Sequence, residues 1–297
     1  MTGTALIPVI AGLSASAIVL LASAPTQQPF RSATDVVTLE AAVLQDNKPV
    51  AGLSSRDFIV TDNGVRQTVE VVSAGSLPVD LSLVIDTSGS MSESVDEMKR
   101  QILAAAGQLR PDDRCRFIQF SWGVREVFPM QPPSAELSFD RFKAGGATSL
   151  HDALAAVLMR NRKPGRAELA VVFTDAVDTS SAMTIEASRE LARRSDVLLH
   201  AFIVRAPGDV FADAALGRAD YGPLTELAGL TGGRLDVVLA DNHVANGLAR
   251  ALADFRSSYT LRFAATGVAR QGWHELAVRI DRPGGFAVRA RKGYFGG

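Results

Sequence analysis

Pro78-Val79-Asp80-Leu81-Ser82-Leu83-Val84-Ile85-Asp86-Thr87-Ser88-Gly89-Ser90 is the stretch that decides the fold. A largely apolar run of strand length ends on an acid and passes at once into a loop of small, hydroxylated residues. Such runs, bounded by turn residues, fit strands buried on both faces. A second run, Leu169-Ala170-Val171-Val172-Phe173-Thr174, ends on Asp175 in the same way. Around them the periodicity predicts strands near 81–86, 114–121, 124–129, 168–174, 197–204 and 234–238, and helices near 92–109, 149–161, 182–195, 223–230 and 243–254. This alternation implies an α/β domain, a doubly wound, mainly parallel sheet with helices on both faces. Ligands of such sheets bind beyond the carboxyl ends of the strands, where Asp86 and Asp175 fall.

The loops at those ends are rich in oxygen donors. Ser88 and Ser90 have alternate spacing, so both hydroxyls can turn toward one point. Thr148 lies in Gly145-Gly146-Ala147-Thr148-Ser149-Leu150, just before a predicted helix. Asp86, Ser88, Ser90, Thr148 and Asp175 are together the kind of ligands a hard divalent cation takes, too few to close its shell. Mg²⁺ is the first expectation, with Ca²⁺ or Mn²⁺ as alternatives, because it takes oxygen ligands and keeps several waters. Three neutral hydroxyls and two carboxylates leave the ion electrophilic, so an acidic side chain of a partner protein can complete the shell. A helix starting near Ser92 adds its positive N-terminal end. The bland reading is helix capping: Asp86 and Ser88 at one helix, Thr148 or Ser149 with Asp152 as a capping box at the next. Capping accounts for each residue singly, but not for the ordered set at the ends of two central strands.

The order D-x-S-x-S, distant Thr, distant Asp resembles the metal-ion-dependent adhesion site of von Willebrand factor type A domains. Thr148-Ser149-Leu150-His151-Asp152-Ala153-Leu154 is similar to that family's T-x-L-x-D-A-[LI] segment. The resemblance implies direct coordination by Ser88, Ser90 and Thr148, with Asp86 and Asp175 acting largely through water. One departure is Ala176, where many members have glycine after the aspartate.

Outside this domain, residues 78–254, both flanks read as strands. The N-terminal segment, 35–77, has strands at Val36–Leu44, Phe58–Val60 and Val69–Val72, with Asp62-Asn63-Gly64 as a hairpin turn between the last two. The C-terminal segment, 255–297, has strands at Tyr259–Phe263, His274–Ile280 and Ala287–Ala290. Neither segment is long enough for a robust core alone. The expectation is therefore one small β-sandwich from both flanks, with the α/β domain inserted. The lead-in Lys48-Pro49-Val50-Ala51-Gly52-Leu53 with Asp57-Phe58, and the tail Arg289-Ala290-Arg291-Lys292-Gly293-Tyr294-Phe295, resemble a bacterial family of von Willebrand factor type A-related proteins.

Residues 1–24 read as a signal peptide or a membrane anchor. Thr4 to Ala24 is almost wholly apolar and Ala22-Ser23-Ala24 has the form of a cleavage site, yet about 20 apolar residues also suffice to span a bilayer. Either way the chain is expected outside the cytoplasm: periplasmic, secreted, or anchored through residues 4–24. Residues 25–34 read as a linker.

Composition excludes other classes. The 31 basic and 32 acidic residues nearly cancel, and no clustered excess of cations suggests nucleic acid. The run Arg160-Asn161-Arg162-Lys163 reads as cations complementing a helix C-terminus, and Arg193-Arg194 as a solvated helix face. The single Cys115 forms no internal disulfide and reads as a small buried residue. Asp152 and Asp178 are further acids near the site, and the 207–223 insertion is long enough to be a contact loop. No nucleotide-loop, hydrolase-elbow or zinc-ligand pattern is present, so an enzyme is not expected. The expected function is an exported, adhesion-type protein-binding module. The alternatives are a structural envelope-assembly component binding through its β-sandwich, and a metal-dependent phosphoester hydrolase, with a Ser88–His151 hydrolase behind both.

Overall fold

Strand β6 (Val79–Asp86) is buried at all eight positions, and so is β9 (Ala167–Thr174). They lie side by side, parallel, at the centre of a six-stranded sheet. Reading the chain onward from β6, the domain comprises α1 (Val95–Ala106), β7 (Arg114–Phe120), β8 (Val124–Gln131), α2 (Leu150–Leu158), β9, α3 (Ile185–Arg194), β10 (Leu198–Arg205), α4 (Gly222–Thr231), β11 (Leu235–Leu239) and α5 (His243–Arg256). The strand order is β11-β10-β9-β6-β7-β8, with only β8 antiparallel. One face packs α1 and α5 through Met98, Ile102, Leu248 and Phe255 on Leu81, Leu83, Phe117 and Phe173. The other packs α2, α3 and α4 through Leu154, Ala192 and Leu227 on Val84, Phe120, Val172 and Leu199. The chain leaves β6 toward β7 and leaves β9 toward β10, so the strand order reverses between β6 and β9. That crevice is where open α/β sheets bind ligands.

The chain is a computed structural model that describes Met1 and residues 36–91, 95–143, 145–205, 221–239 and 242–297. The expected leader at 1–24, the linker at 25–34, Ser92 and most of the 207–223 insertion lie outside the described residues. Among the described residues no helix is long and apolar enough to cross a membrane.

The flanks interleave. Upstream strands are β1 (Val36–Gln45), β2 (Lys48–Pro49), β3 (Phe58–Asp62), β4 (Val65–Gln67) and β5 (Val69–Ala74), and downstream strands are β12 (Tyr259–Ala264), β13 (Gly272–Ile280), β14 (Phe286–Ala290) and β15 (Gly293–Gly296). They form two sheets, β14-β1-β12-β5 with β2 on β1, and β15-β13-β3-β4. Both draw strands from both flanks and share one apolar cluster, including Leu39, Phe58, Val60, Leu261, Phe263 and Leu276. The lead-in docks on Tyr259, whose hydroxyl accepts from Leu53 N–H at 3.1 Å and donates to the Val50 carbonyl at 2.8 Å.

Several local expectations need correction. The Asn63-Gly64 turn, with both residues at positive φ, joins β3 to β4, whereas Val69–Ala74 pairs with β12 in the other sheet. Tight turns pair the strands immediately beside them, and β4, only three residues long, gave little periodic signal. The basic run after α2 makes specific ion pairs: Arg160 with Glu168 at 3.5 Å, Arg162 with Glu40 at 2.7 Å, and Lys163 with Asp80 at 3.7 Å. Arg193 and Arg194 are not merely solvated; they lie over the rings of Trp273 and Phe295, at 5.6 and 3.8 Å, tying α3 to the C-terminal strands.

Candidate metal centre

Asp86 ends β6 and is fully buried. Its Oδ1 accepts the Ser88 N–H at 2.9 Å, and its Oδ2 accepts the Thr174 hydroxyl at 2.8 Å. Thr174 Oγ1 in turn accepts the Ala176 N–H at 3.0 Å. Because β6 and β9 run in register, with Ile85 beside Phe173, the acids that follow emerge together. Ser88 Oγ and Ser90 Oγ are 3.1 Å apart, and the Ser90 hydroxyl donates to Asp175 Oδ2 at 2.6 Å. Asp86, Ser88, Ser90 and Asp175 thus form one continuous hydrogen-bonded group at the reversal crevice.

Backbone bonds bring the Thr148 loop onto this group. Gly89 N–H donates to the Gly146 carbonyl at 3.0 Å, and Gly145 N–H to the Thr87 carbonyl at 2.6 Å. Thr148 is buried, its N–H donating to Thr179 Oγ1 at 2.8 Å and its carbonyl accepting from Thr179 and Ser180. Asp152 and Asp178 have structural work here. Asp178 Oδ1 accepts the Leu150 N–H and the Ser181 hydroxyl, at 2.8 and 2.5 Å, while Asp152 accepts the N–H groups of Ala182 and Met183 at 3.0 and 2.8 Å. The capping-box expectation for Asp152 therefore fails. Ser149, at the N-cap of α2, makes no side-chain cap bond, because the first-turn N–H groups are taken by the neighbouring loop.

A sequence profile of the von Willebrand factor type A domain matches residues 80–235, over half of the 297. The chain belongs to the von Willebrand factor type A domain family. Among solved structures, a von Willebrand factor type A protein from Catenulispora acidiphila is 13% identical with a TM-score of 0.50, covering 89% of this chain and 75% of that one. The BatB protein of Bacteroides thetaiotaomicron is 15% identical, TM-score 0.43, covering 60% of this chain and 98% of that one. Proximal thread matrix protein 1 from the mussel byssus, in a structure with a zinc-occupied adhesion motif, is 15% identical, TM-score 0.47, with 65% of this chain and 49% of that one covered. The chain spans about half the length of that mussel protein. No curated protein matches in sequence.

The electrostatics of this von Willebrand factor A domain fit a cation. Burial pushes the Asp86 carboxyl up to about 6; hydrogen bonds from Ser88 and Thr174 work against that shift, and the nearby Asp175 charge adds to it. A divalent ion would relieve both effects. Among the described residues no three His, Cys, Asp or Glu side chains gather into a metal-holding cluster, so a shell here would draw on other oxygen donors, of which the Ser88 and Ser90 hydroxyls lie beside the acids. Hydroxyl and carboxylate oxygens are the hard donors that Mg²⁺ takes. Ala176 stands at φ +68°, the left-handed region that a side chain disfavours, which is the physical reason glycine suits this turn.

Thr174 joins the site beyond the five expected residues, and its signal in the sequence is a threonine directly before Asp175 at the end of an apolar run. Trp122, at the β7–β8 turn, had no signal of its own. Cys115 is buried with its thiol pushed up to about 11, unsuited to reaction.

Proposed function

We propose that the chain is an exported, non-enzymatic protein-binding module whose metal site accepts an acidic residue of a partner protein. Ser88, Ser90 and Thr148 would hold the ion directly and Asp86 and Asp175 largely through water, with Mg²⁺ the expected cation. When bound, the ion supplies an electrophilic centre for an incoming carboxylate. The observation that carries this reading is the convergence of Asp86, Ser88, Ser90 and Asp175 into one hydrogen-bonded group where the strand order reverses. We take the two flanking sheets as a β-sandwich carrying the inserted domain, bounded as 35–77, 78–254 and 255–297, and residues 1–24 as the export signal or anchor. Among the described residues no hydrogen bond joins the His151 imidazole to Ser88, whose Oγ meets Ser90 Oγ instead, so a Ser–His hydrolase lacks support. Titration calorimetry with Mg²⁺ and Mn²⁺ tests the reading. Saturable binding by the wild type, lost in Asp86→Ala, supports it; binding that survives Asp86→Ala contradicts it.

A further inference from the structure

After Met1, no large apolar side chain among the described residues is more exposed than Trp122, at 73%. A single exposed apolar residue is ordinary on a protein surface. What sets Trp122 apart is its seat. A Cβ placed on Gly146 would lie 2.0 Å from Trp122 Cδ1 and 2.3 Å from Nε1, so the indole rests directly on the Gly146 backbone. Gly146 also stands at φ +109°, so glycine is required there on both counts. The Gly146 carbonyl accepts from Gly89, the residue between Ser88 and Ser90, and the Ser121 carbonyl accepts from Ser149, next to Thr148. The indole is therefore anchored to two of the three loops of the candidate metal centre while presenting most of its surface to solvent. On the third loop Val177, 43% exposed, donates its N–H to Asp175 Oδ1 at 3.1 Å. Apolar surface thus sits on separate loops around the hydroxyls and the acid. The other tryptophan, Trp273, is engaged by Phe295 and Arg193 within the fold, whereas among the described residues no ring or cation stacks on Trp122.

We infer that Trp122 is a specificity platform beside the metal centre, seating an aromatic or large aliphatic side chain adjacent to the acidic residue of an extended partner segment. This rests on the metal-dependent reading above. Gly146 touches the indole on one side and, through its carbonyl, Gly89 of the Ser88–Ser90 loop on the other, so neighbouring side chains of an extended chain rising ~3.3 Å per residue can meet both. Tryptophan suits the role because it supplies a large rigid face at small entropic cost and is enriched among residues that dominate binding. The acid alone would give metal dependence; the indole would add choice among acidic partners.

The test uses the full chain with saturating Mg²⁺ and two blocked hexapeptides, Gly-Gly-Asp-Phe-Gly-Gly and Gly-Gly-Asp-Gly-Gly-Gly, followed by tryptophan fluorescence and calorimetry. The aromatic peptide is expected to bind about tenfold more tightly to the wild type. Trp122→Ala should erase that preference while leaving the Mg²⁺ affinity and the weaker peptide unchanged. Equal Mg²⁺-dependent binding of both peptides, or a preference that survives Trp122→Ala, overturns the platform and leaves the metal reading standing. Binding of the aromatic peptide without Mg²⁺, or of neither peptide, overturns both.

Discussion

The two ends of the six-stranded sheet are built from different chemistry. At the amino end, carboxylates, the fully buried Asp80 and Asp113 among them, meet cationic side chains. Asp80 takes Arg166 at 2.6 Å and Lys163 at 3.7 Å, Asp113 takes Arg256 at 3.0 Å, Asp196 takes Arg291 at 2.6 Å, and Asp254 pairs with Arg289. Several of these pairs, with Arg162–Glu40, tie the domain to the flanking strands. At the carboxyl end the acids meet hydroxyls and backbone N–H groups instead, and Ser90, Trp122 and Val177 stay exposed. Opposite charges compensate one another at the first end, while among the described residues Asp86 and Asp175 at the second end meet no cation. The difference separates holding from binding: one end is closed by its own ions, the other is suited to receive one.

The largest expected effect comes from breaking the closed end. Arg166→Met strips the fully buried Asp80 of its closest cation and should cost about 3–5 kcal/mol by urea unfolding. The Mg²⁺ affinity of the folded protein should stay within about twofold; a large loss would mean the two ends are coupled.

Acid should act on the two ends with opposite sign. His200, in the amino half of β10, is buried and pushed down to about 4, chiefly by desolvation. It folds neutral while the unfolded chain protonates near 6.5, so its contribution is lost as pH falls from 6.5 toward 4. Asp86 is raised to about 6, so in metal-free protein the folded state keeps a proton that the unfolded state has shed above about 4. Its contribution to stability therefore declines as pH rises through that window. Each amounts to about 3 kcal/mol at about 1.4 kcal/mol per pH unit. Metal-free Asp86→Asn should show urea stability rising with pH between 4.5 and 6.5, and His200→Leu should show it falling. Parallel profiles for the two variants would refute the assignment.

A smaller effect sharpens the open end. Ala176→Gly relieves a left-handed φ and should stabilise the fold by about 0.5–1 kcal/mol, read as a higher urea midpoint.

The central strands, the helices and the grouping of Asp86, Ser88, Ser90 and Asp175 at the strand ends were legible because each rests on local pattern: unbroken apolar runs, their terminal acids, and hydroxyls at fixed spacing. What escaped depended on partners far along the chain. Arg162 pairs with Glu40 and Arg194 meets Phe295, and neither separation leaves a periodic trace. Strand β15, Gly293-Tyr294-Phe295-Gly296, is too short and glycine-rich to announce itself, and forms because Trp273 and His274 of β13 offer it an edge. Asp152 and Asp178 read as capping or solvated acids because crossing of the two loops is a tertiary fact.

The most direct test of the contrast between a closed and a receptive end is urea unfolding at pH 7 with and without Mg²⁺, on wild type, Asp86→Ala and Arg166→Met. At a hundredfold excess over Kd, Mg²⁺ should stabilise wild type and Arg166→Met alike by about 2.7 kcal/mol, and Asp86→Ala not at all. Equal stabilisation of all three, or none of the wild type, would contradict a cation site at the carboxyl end of β6 and β9.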